Sequence, residues 1–323
     1  MSGPLRVGFI GAGFIAGVHA GILARDARVR VATVHDPDAR TAAAFALRTG
    51  AVAAPTADEL IDSSDAVYVC TPNALHAEAA VRALAAGRHV FSEKPMATSL
   101  ADAERVAEAA ERARGVYQVG FNRRFAGVYR ELTAQIASGA LTPTSALFKM
   151  NRGELQRPAW TGDATISGGF LYETPVHMLD LVRVLLGDPV EVLCRARSTV
   201  YAQPDDFSML FTFASGASAV LATCAHATWL FPFERVEVYG AHAMAATEEM
   251  ERVTFSMAPG GPARTIDFAQ QPVEERWGYA EEDAQFIAAT LGEGEPAVGA
   301  AEALRTARLV EKCYAAAGAP GRR

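Results

Sequence analysis

The sequence predicts an α/β chain in two parts: a doubly wound parallel sheet first, then an α+β unit on a mostly antiparallel open sheet. Two observations carry the first part. Short apolar runs alternate with helical patterns as far as residue 121, and the first turn reads Gly11-Ala-Gly13-Phe-Ile-Ala16. One observation carries the second. Beyond about residue 123, β-rich runs follow one another without long helices between them. The expected domains are therefore 1–122 and 123–323.

Size and composition agree. A chain of 323 residues is too long for one small core. It is 50% apolar and 21% charged, ordinary values that exclude global disorder. Its net charge is −7, with no basic block beyond the final Gly-Arg-Arg, which argues against a nucleic-acid surface. Cys70, Cys194, Cys224 and Cys313 are scattered and form no CxxC pair. They read as reduced, mostly buried thiols of a cytoplasmic protein, and no metal is expected. Residues 7–18 faintly resemble a signal peptide, but four glycines make a strand-turn-helix the better reading. No stretch is long and apolar enough to span a membrane.

In order, residues 5–10, 29–34, 66–70, 88–92 and 116–121 read as buried parallel strands. Helices are expected to about residue 23, over 75–86 with Gly87 as C-cap, and from a Ser99/Asp102 capping box to 114. In the second part, a helix over 127–137 precedes strands at 145–150, 190–200, 207–213, 217–223 and 233–239. Phe207, Met209, Phe211 and Phe213 alternate with Ser208, Leu210 and Thr212, so one sheet face is buried. Leu210 and Leu221 suggest a subunit interface on the other face. Helices at about 281–291 and 300–317 close the chain as packing elements.

The glycine turn gives the first sheet a task. Gly11 allows the tight turn. Gly13 lets backbone N–H groups approach a pyrophosphate at the start of a helix, beside Phe14 and Ile15. Ala16 takes the third small position. Asp36 ends the second strand, where a carboxylate accepts bonds from an adenosine ribose. It would repel a 2′-phosphate, which favours NAD over NADP; Arg40, one turn on, softens that preference. The alternative is that Asp36-Pro37-Asp38 only caps the next helix.

Ligands of such sheets lie beyond the carboxyl ends of the strands. Thr71-Pro72-Asn73 with His76, Glu93-Lys94-Pro95, and Asn122 with Arg124 all fall there. Lys94, beside a proline after a buried strand, either binds a substrate oxygen or the nicotinamide ribose, or pairs with Glu93. His76 reads as a first-turn residue near the cofactor.

These motifs carry a resemblance. Residues 70–106, CTPNALHAEAAVRALAAGRHVFSEKPMATSLADAERV, look like the Gfo/Idh/MocA family of oxidoreductases. Its pattern is a GxGxxG/A loop, an Asn-x-x-His and a Glu-Lys-Pro loop. Here these are Gly11/Gly13/Ala16, Asn73/His76 and Glu93-Lys94-Pro95. The resemblance covers essentially the whole chain. It implies a Rossmann domain for NAD and an α+β domain whose open sheet binds substrate and supports homodimers or homotetramers.

The segment GGFLYETPVHMLD, residues 168–180, is dense in ionisable groups. Thr174-Pro175 reads as a helix start, with a hydroxyl cap and proline at the first position. His177 then lies in the first turn and Asp180 on the same face. The positive helix end there favours a neutral imidazole as base. The alternative is a local hydrogen-bonded pair. Inositol-dehydrogenase-like members of the family carry Asp four positions before the catalytic His and an acid three positions after it. His177 and Asp180 match this; Glu173 departs by one methylene, and Pro175 stands where glycine is common. Gly168-Gly169 permit a close backbone approach. Arg157 and Trp160 either face substrate or anchor a loop.

The combined reading is an NAD-dependent dehydrogenase of a sugar, inositol or aminocyclitol hydroxyl. Lys94 and His177 are central, with Glu173 and Asp180 supporting. Alternatives are a keto-sugar reductase in deoxysugar or aminoglycoside biosynthesis, and a non-catalytic dinucleotide-binding sensor.

Overall fold

The computed structural model describes residues 3–228 and 233–318; the basic ending at 321–323 lies outside them. The first elements are β1 (Leu5–Ile10), α1 (Phe14–Leu23), β2 (Val29–His35), α2 (Ala39–Thr49), β3 (Val52–Ala53), α3 (Ala57–Ser63), β4 (Ala66–Val69), α4 (His76–Ala85), β5 (His89–Glu93), α5 (Leu100–Arg112) and β6 (Tyr117–Gly120). Then come α6 (Gly127–Ala137), β7 (Ser145–Asn151), α7 (Ala164–Ser167), α8 (Phe170–Glu173), α9 (Val176–Leu186), β8 (Pro189–Arg197), β9 (Asp206–Phe213) and β10 (Ser218–Cys224). The chain continues through β11 (Glu234–Gly240), β12 (Ala243–Glu248), β13 (Arg252–Ser256), β14 (Arg264–Asp267), α10 (Val273–Arg276), α11 (Tyr279–Thr290) and α12 (Ala300–Ala316).

Two compact units result. One is Met1–Phe121 with Tyr279–Ala307; the other is Asn122–Gly278 with Arg308–Arg323. The sequence reading keeps residues 279–307 in the second domain, and the structure returns them to the first. The cause is apolar: Phe286 and Ile287 of α11 join the core of Phe9, Tyr68 and Phe91. The Phe286 ring stands edge-on to Tyr68 at 5.5 Å and to Phe91 at 5.6 Å.

The first sheet runs β3-β2-β1-β4-β5-β6, all parallel. Its strands β1 and β4 are almost wholly buried, which is why they read as plain apolar runs. Strand order reverses between β1 and β4, so their carboxyl ends open a crevice. α2 is expected only as the helix after Asp36-Pro37-Asp38, and β3 and α3 escape the sequence reading. α2 is alanine-rich and buries only Ala42 and Phe45, and β3 is two exposed residues. α3 has a legible signal, a Thr56/Glu59 capping box. The Ser99/Asp102 box forms as expected.

The second sheet runs β14-β13-β12-β11-β7-β10-β9-β8 and is antiparallel except for β7 beside β10. Phe207, Met209, Phe211 and Phe213 face inward as the alternation predicts. Leu221 does not share the open face with Leu210. It pairs with Met209 and is fully buried, because register fixes both on the inner side. The open face instead carries Leu147, Val220, Leu210 and Leu193, neighbours across four strands. Among the described residues no helix is long and apolar enough to cross a membrane. All four cysteines are free thiols; Cys224 is half-buried and the others buried.

Candidate active site

In the first unit, three turns meet at the carboxyl edge of the sheet, after β1, β4 and β5. Gly11 has φ +91°, and a Cβ there would lie 2.5 Å from the Cys70 carbonyl oxygen, so only glycine fits. Gly13 differs. A Cβ there would meet nothing within 4 Å, so packing does not demand glycine. Gly13 is also the N-cap of α1, with no side-chain cap and no acid in the first turn. Helix N–H groups without a side-chain cap suit the pyrophosphate of a dinucleotide. Ala16 is fully buried beneath them, and Phe14 stands exposed at the turn.

Asp36 accepts from the Ala12 N–H at 2.9 Å and from the Asp38 N–H at 2.9 Å. It therefore ties the glycine turn to the end of β2. Asp38 is the residue that caps α2, through the Arg40 N–H, so capping does not account for Asp36. Arg40 itself is exposed. His76 bridges the other two turns: its ring nitrogens lie 2.7 Å from the Pro95 carbonyl and 2.8 Å from that of Thr71. Burial pushes this imidazole below its ordinary value, against the pull of both carbonyls. Asn73 is buried next to it, while Thr71 and Pro72 are half-buried.

Lys94 follows the last residue of β5 and is half-buried. The Glu93 carboxylate has contacts on both sides. Its Oε2 accepts the Lys94 backbone N–H at 3.0 Å, and its Oε1 lies 3.2 Å from His19 Nε2. Burial pushes the Cys70 thiol up, so it stays protonated at the end of the neighbouring strand.

In the second unit, His177 is the second residue of α9 and is 5% exposed. The helix start differs from the expected one. Pro175 is the N-cap, and the Thr174 hydroxyl donates to Glu173 Oε2 instead of capping α9. Glu173 ends the one-turn α8 and accepts from Arg152 Nη1 at 3.0 Å. Arg152 is a hub that the sequence reading missed. It also donates to Thr174 Oγ1 at 3.2 Å, to the Glu154 carbonyl at 2.7 Å and to the Arg157 carbonyl at 3.1 Å. It thus shapes the loop that carries exposed Arg157 and half-buried Trp160. The extra methylene of Glu173 serves a pair with this arginine.

Asp180 is held by Arg124, whose Nε and Nη2 donate to its two oxygens at 2.6 and 2.5 Å. Arg183 Nη1 lies 3.9 Å from the same carboxylate. Asn122 is turned inward: it donates to the Trp277 carbonyl at 2.9 Å and accepts from Arg123 at 3.3 Å. The double glycine is explained by packing. Gly168 and Gly169 have φ +85° and +97°, and a Cβ on Gly169 would lie 2.6 Å from the Tyr314 hydroxyl.

Comparison with known proteins accords with this geometry. Residues 5–121 match the oxidoreductase family with an NAD-binding Rossmann fold, and residues 129–246 match the GFO/IDH/MocA C-terminal domain. An inositol 2-dehydrogenase of Rhizobium meliloti (strain 1021) is 31% identical over 299 residues, 88% of each chain. GenD2 from gentamicin A biosynthesis, solved with NAD, is 27% identical, with a TM-score of 0.84 over 100% of this chain and 96% of that one. Levoglucosan dehydrogenase, solved with NADH and levoglucosan, shares the fold at a TM-score of 0.90, 20% identity and coverage of 98% and 97%. The chain belongs to the Gfo/Idh/MocA family of oxidoreductases, and its cofactor is NAD.

Proposed function

We propose that this oxidoreductase interconverts a secondary hydroxyl and a ketone on a sugar, inositol or aminocyclitol. The observation that carries the reading is one sheet edge holding both the open Gly13 turn and the Lys94 turn. NAD, when bound, accepts the hydride released from the carbinol carbon. The first unit holds it. N–H groups at the start of α1, beside Gly13, Phe14 and Ile15, take the pyrophosphate. Asp36 takes the adenosine ribose, and the turns at Thr71-Pro72-Asn73 and Glu93-Lys94 flank the nicotinamide end.

The second unit binds substrate. Lys94 holds the reacting oxygen and stabilises its negative charge as the proton leaves. His177 takes that proton. Glu173 and Asp180 act one step back, through Arg152 and Arg124. Arg157 and Trp160 contact the polyol, with the ring stacking on its apolar face. The exposed row of Leu147, Val220, Leu210 and Leu193 is an apolar seam for a second copy of the chain, giving a homodimer or homotetramer.

Purified protein is expected to reduce NAD with at least one polyol from a panel of inositols, aminocyclitols, aldoses and anhydrosugars. A flat response across that panel and across the matching ketones with NADH would overturn the reading. The similarity to an inositol 2-dehydrogenase makes inositols the first arm. Asp36→Ala is expected to raise KM for NAD by about tenfold to a hundredfold, since charged hydrogen bonds to the ribose are worth about 1.5–3 kcal/mol. Unchanged NAD kinetics in that variant would remove Asp36 from the cofactor site.

A further inference from the structure

The first unit contains a second cluster of titratable groups, which the sequence motifs do not announce. His19 lies on the inner stripe of α1 with Ala16, Ala20 and Leu23, and is fully buried. Its Nδ1 sits 2.9 and 3.0 Å from the two carboxylate oxygens of Asp283 on α11. Its Nε2 sits 3.2 Å from Glu93 Oε1 at the end of β5. The ring is walled edge-on by Phe91 at 5.0 Å and Tyr279 at 5.8 Å. Both nitrogens face carboxylates, so the arrangement calls for two N–H donors, an imidazolium.

The local charges pull both ways: burial raises the Asp283 carboxyl against the lowering effect of His19 and Tyr68, while the carboxylates raise His19. Burial alone would lower the His19 pKa, but Asp283 and Glu93 together hold it well above the ordinary 6.5. Burial would raise Glu93, and His19 with Lys94 brings it below the usual carboxylate range instead. The Tyr68 ring of β4 lies 5.5 Å from the imidazole, and Glu282 of α11 brings a carboxylate oxygen within 4.8 Å of the facing atoms of His19 and Glu93. The Tyr68 hydroxyl donates to Asp283 at 3.1 Å and so fixes that carboxylate too. The charged form of His19 is therefore the one that fits.

We propose that His19, clamped between Asp283 and Glu93, is a positioning residue for Lys94. The chain of contacts is continuous. Asp283 orients the ring, the ring fixes Glu93 Oε1, and Glu93 Oε2 receives the Lys94 backbone N–H at 3.0 Å. Two of the three elements involved are the dinucleotide helix α1 and β5, which ends at Glu93 just before Lys94. The third, α11, is the segment that returns to this unit late in the chain. The direction in which Lys94 leaves the sheet is thus set by a group that never meets the substrate. The catalytic part of this proposal rests on the reading of Lys94 as the group that binds the reacting oxygen.

The test uses the whole protein. Lys94, Lys149 and Lys312 are its three lysines. Reductive ¹³C-methylation therefore gives three lysine signals, and Lys94→Arg assigns the first. In His19→Ala and Asp283→Asn the Lys94 signal is expected to narrow and move toward that of a free lysine, with the other two unmoved. With NAD and a polyol from the panel, kcat is expected to fall about tenfold to a hundredfold, as for a group displaced by about 1 Å. KM for NAD should stay within about threefold, and the loss should not add to that of Lys94→Ala.

His19→Gln keeps one N–H donor for Glu93 and is expected to recover part of the activity. If His19→Ala does not fold, His19→Gln and Asp283→Asn carry both arms. Melting curves are the control. The stability gap between wild type and His19→Gln is expected to be full below the unfolded value near 6.5 and to shrink as pH rises through the raised folded value. An unmoved Lys94 signal in folded variants, or additive losses, would overturn the proposal and leave the reading of Lys94 intact. Full turnover in Lys94→Ala would overturn that reading, and with it the catalytic part here, whatever the spectra show.

Discussion

His177→Ala is expected to lower kcat by about 10²–10⁴-fold while leaving NADH affinity within about threefold. The size follows from the chemistry: oxidation of a carbinol releases a proton that a positioned side chain must take, and such a group contributes that much. Among the acids near it in sequence, two are committed elsewhere. Glu173 is bound by Arg152 and by the Thr174 hydroxyl, and Asp180 by the fork of Arg124. On the proposed reading the imidazole is the proton acceptor. Affinity for NADH is retained because Gly13 and Asp36 belong to the other unit. Steady-state kinetics with the best polyol of the panel, and fluorescence titration of NADH, measure the two quantities. A variant with kcat within threefold of wild type would remove His177 from the mechanism. Glu173→Gln should cost less than His177→Ala, because Arg152 can still donate to the neutral amide oxygen.

The front half of the chain was legible because its signals are local. Buried parallel strands read as apolar runs, and a strand followed by Gly11 and Gly13 constrains what can follow. Ser99 and Asp102 cap α5 from three positions apart. For the candidate site the sequence offers residues but not their pairing. Arg124 meets Asp180 across 56 positions, and His19 meets Asp283 across 264. Ion pairs at such separations leave no periodic trace. Thr174 shows how a local rule is displaced. Ser or Thr before proline is a sound cap, yet here its hydroxyl is drawn to Glu173, which already holds Arg152. His19 had a faint signal, a polar residue three positions after Ala16 on the inner stripe of an apolar helix. Leu221 failed for want of register, which no single strand contains.

Asp180→Ala is expected to cost about 3–5 kcal/mol of stability, the usual result of removing one partner of a buried ion pair. Asp180 is 1% exposed and the Arg124 side chain 14%. Arg183 also reaches Asp188 at 2.6 Å, and the Arg124 guanidinium donates to both oxygens of Asp180. Asp180→Ala removes this carboxylate from the mostly buried Arg124 side chain. Urea unfolding followed by tryptophan fluorescence gives the difference, and a cost under about 1 kcal/mol would show that the pair is not structural. The double variant Arg124→Met, Asp180→Leu should recover most of the loss, because it removes the stranded charge along with its partner. Its turnover then separates two roles for Asp180. If the carboxylate only anchors Arg124 beside α9, the double variant loses substrate affinity and keeps most of its kcat. If Asp180 serves the proton transfer at His177, kcat falls in a protein that is as stable as the wild type.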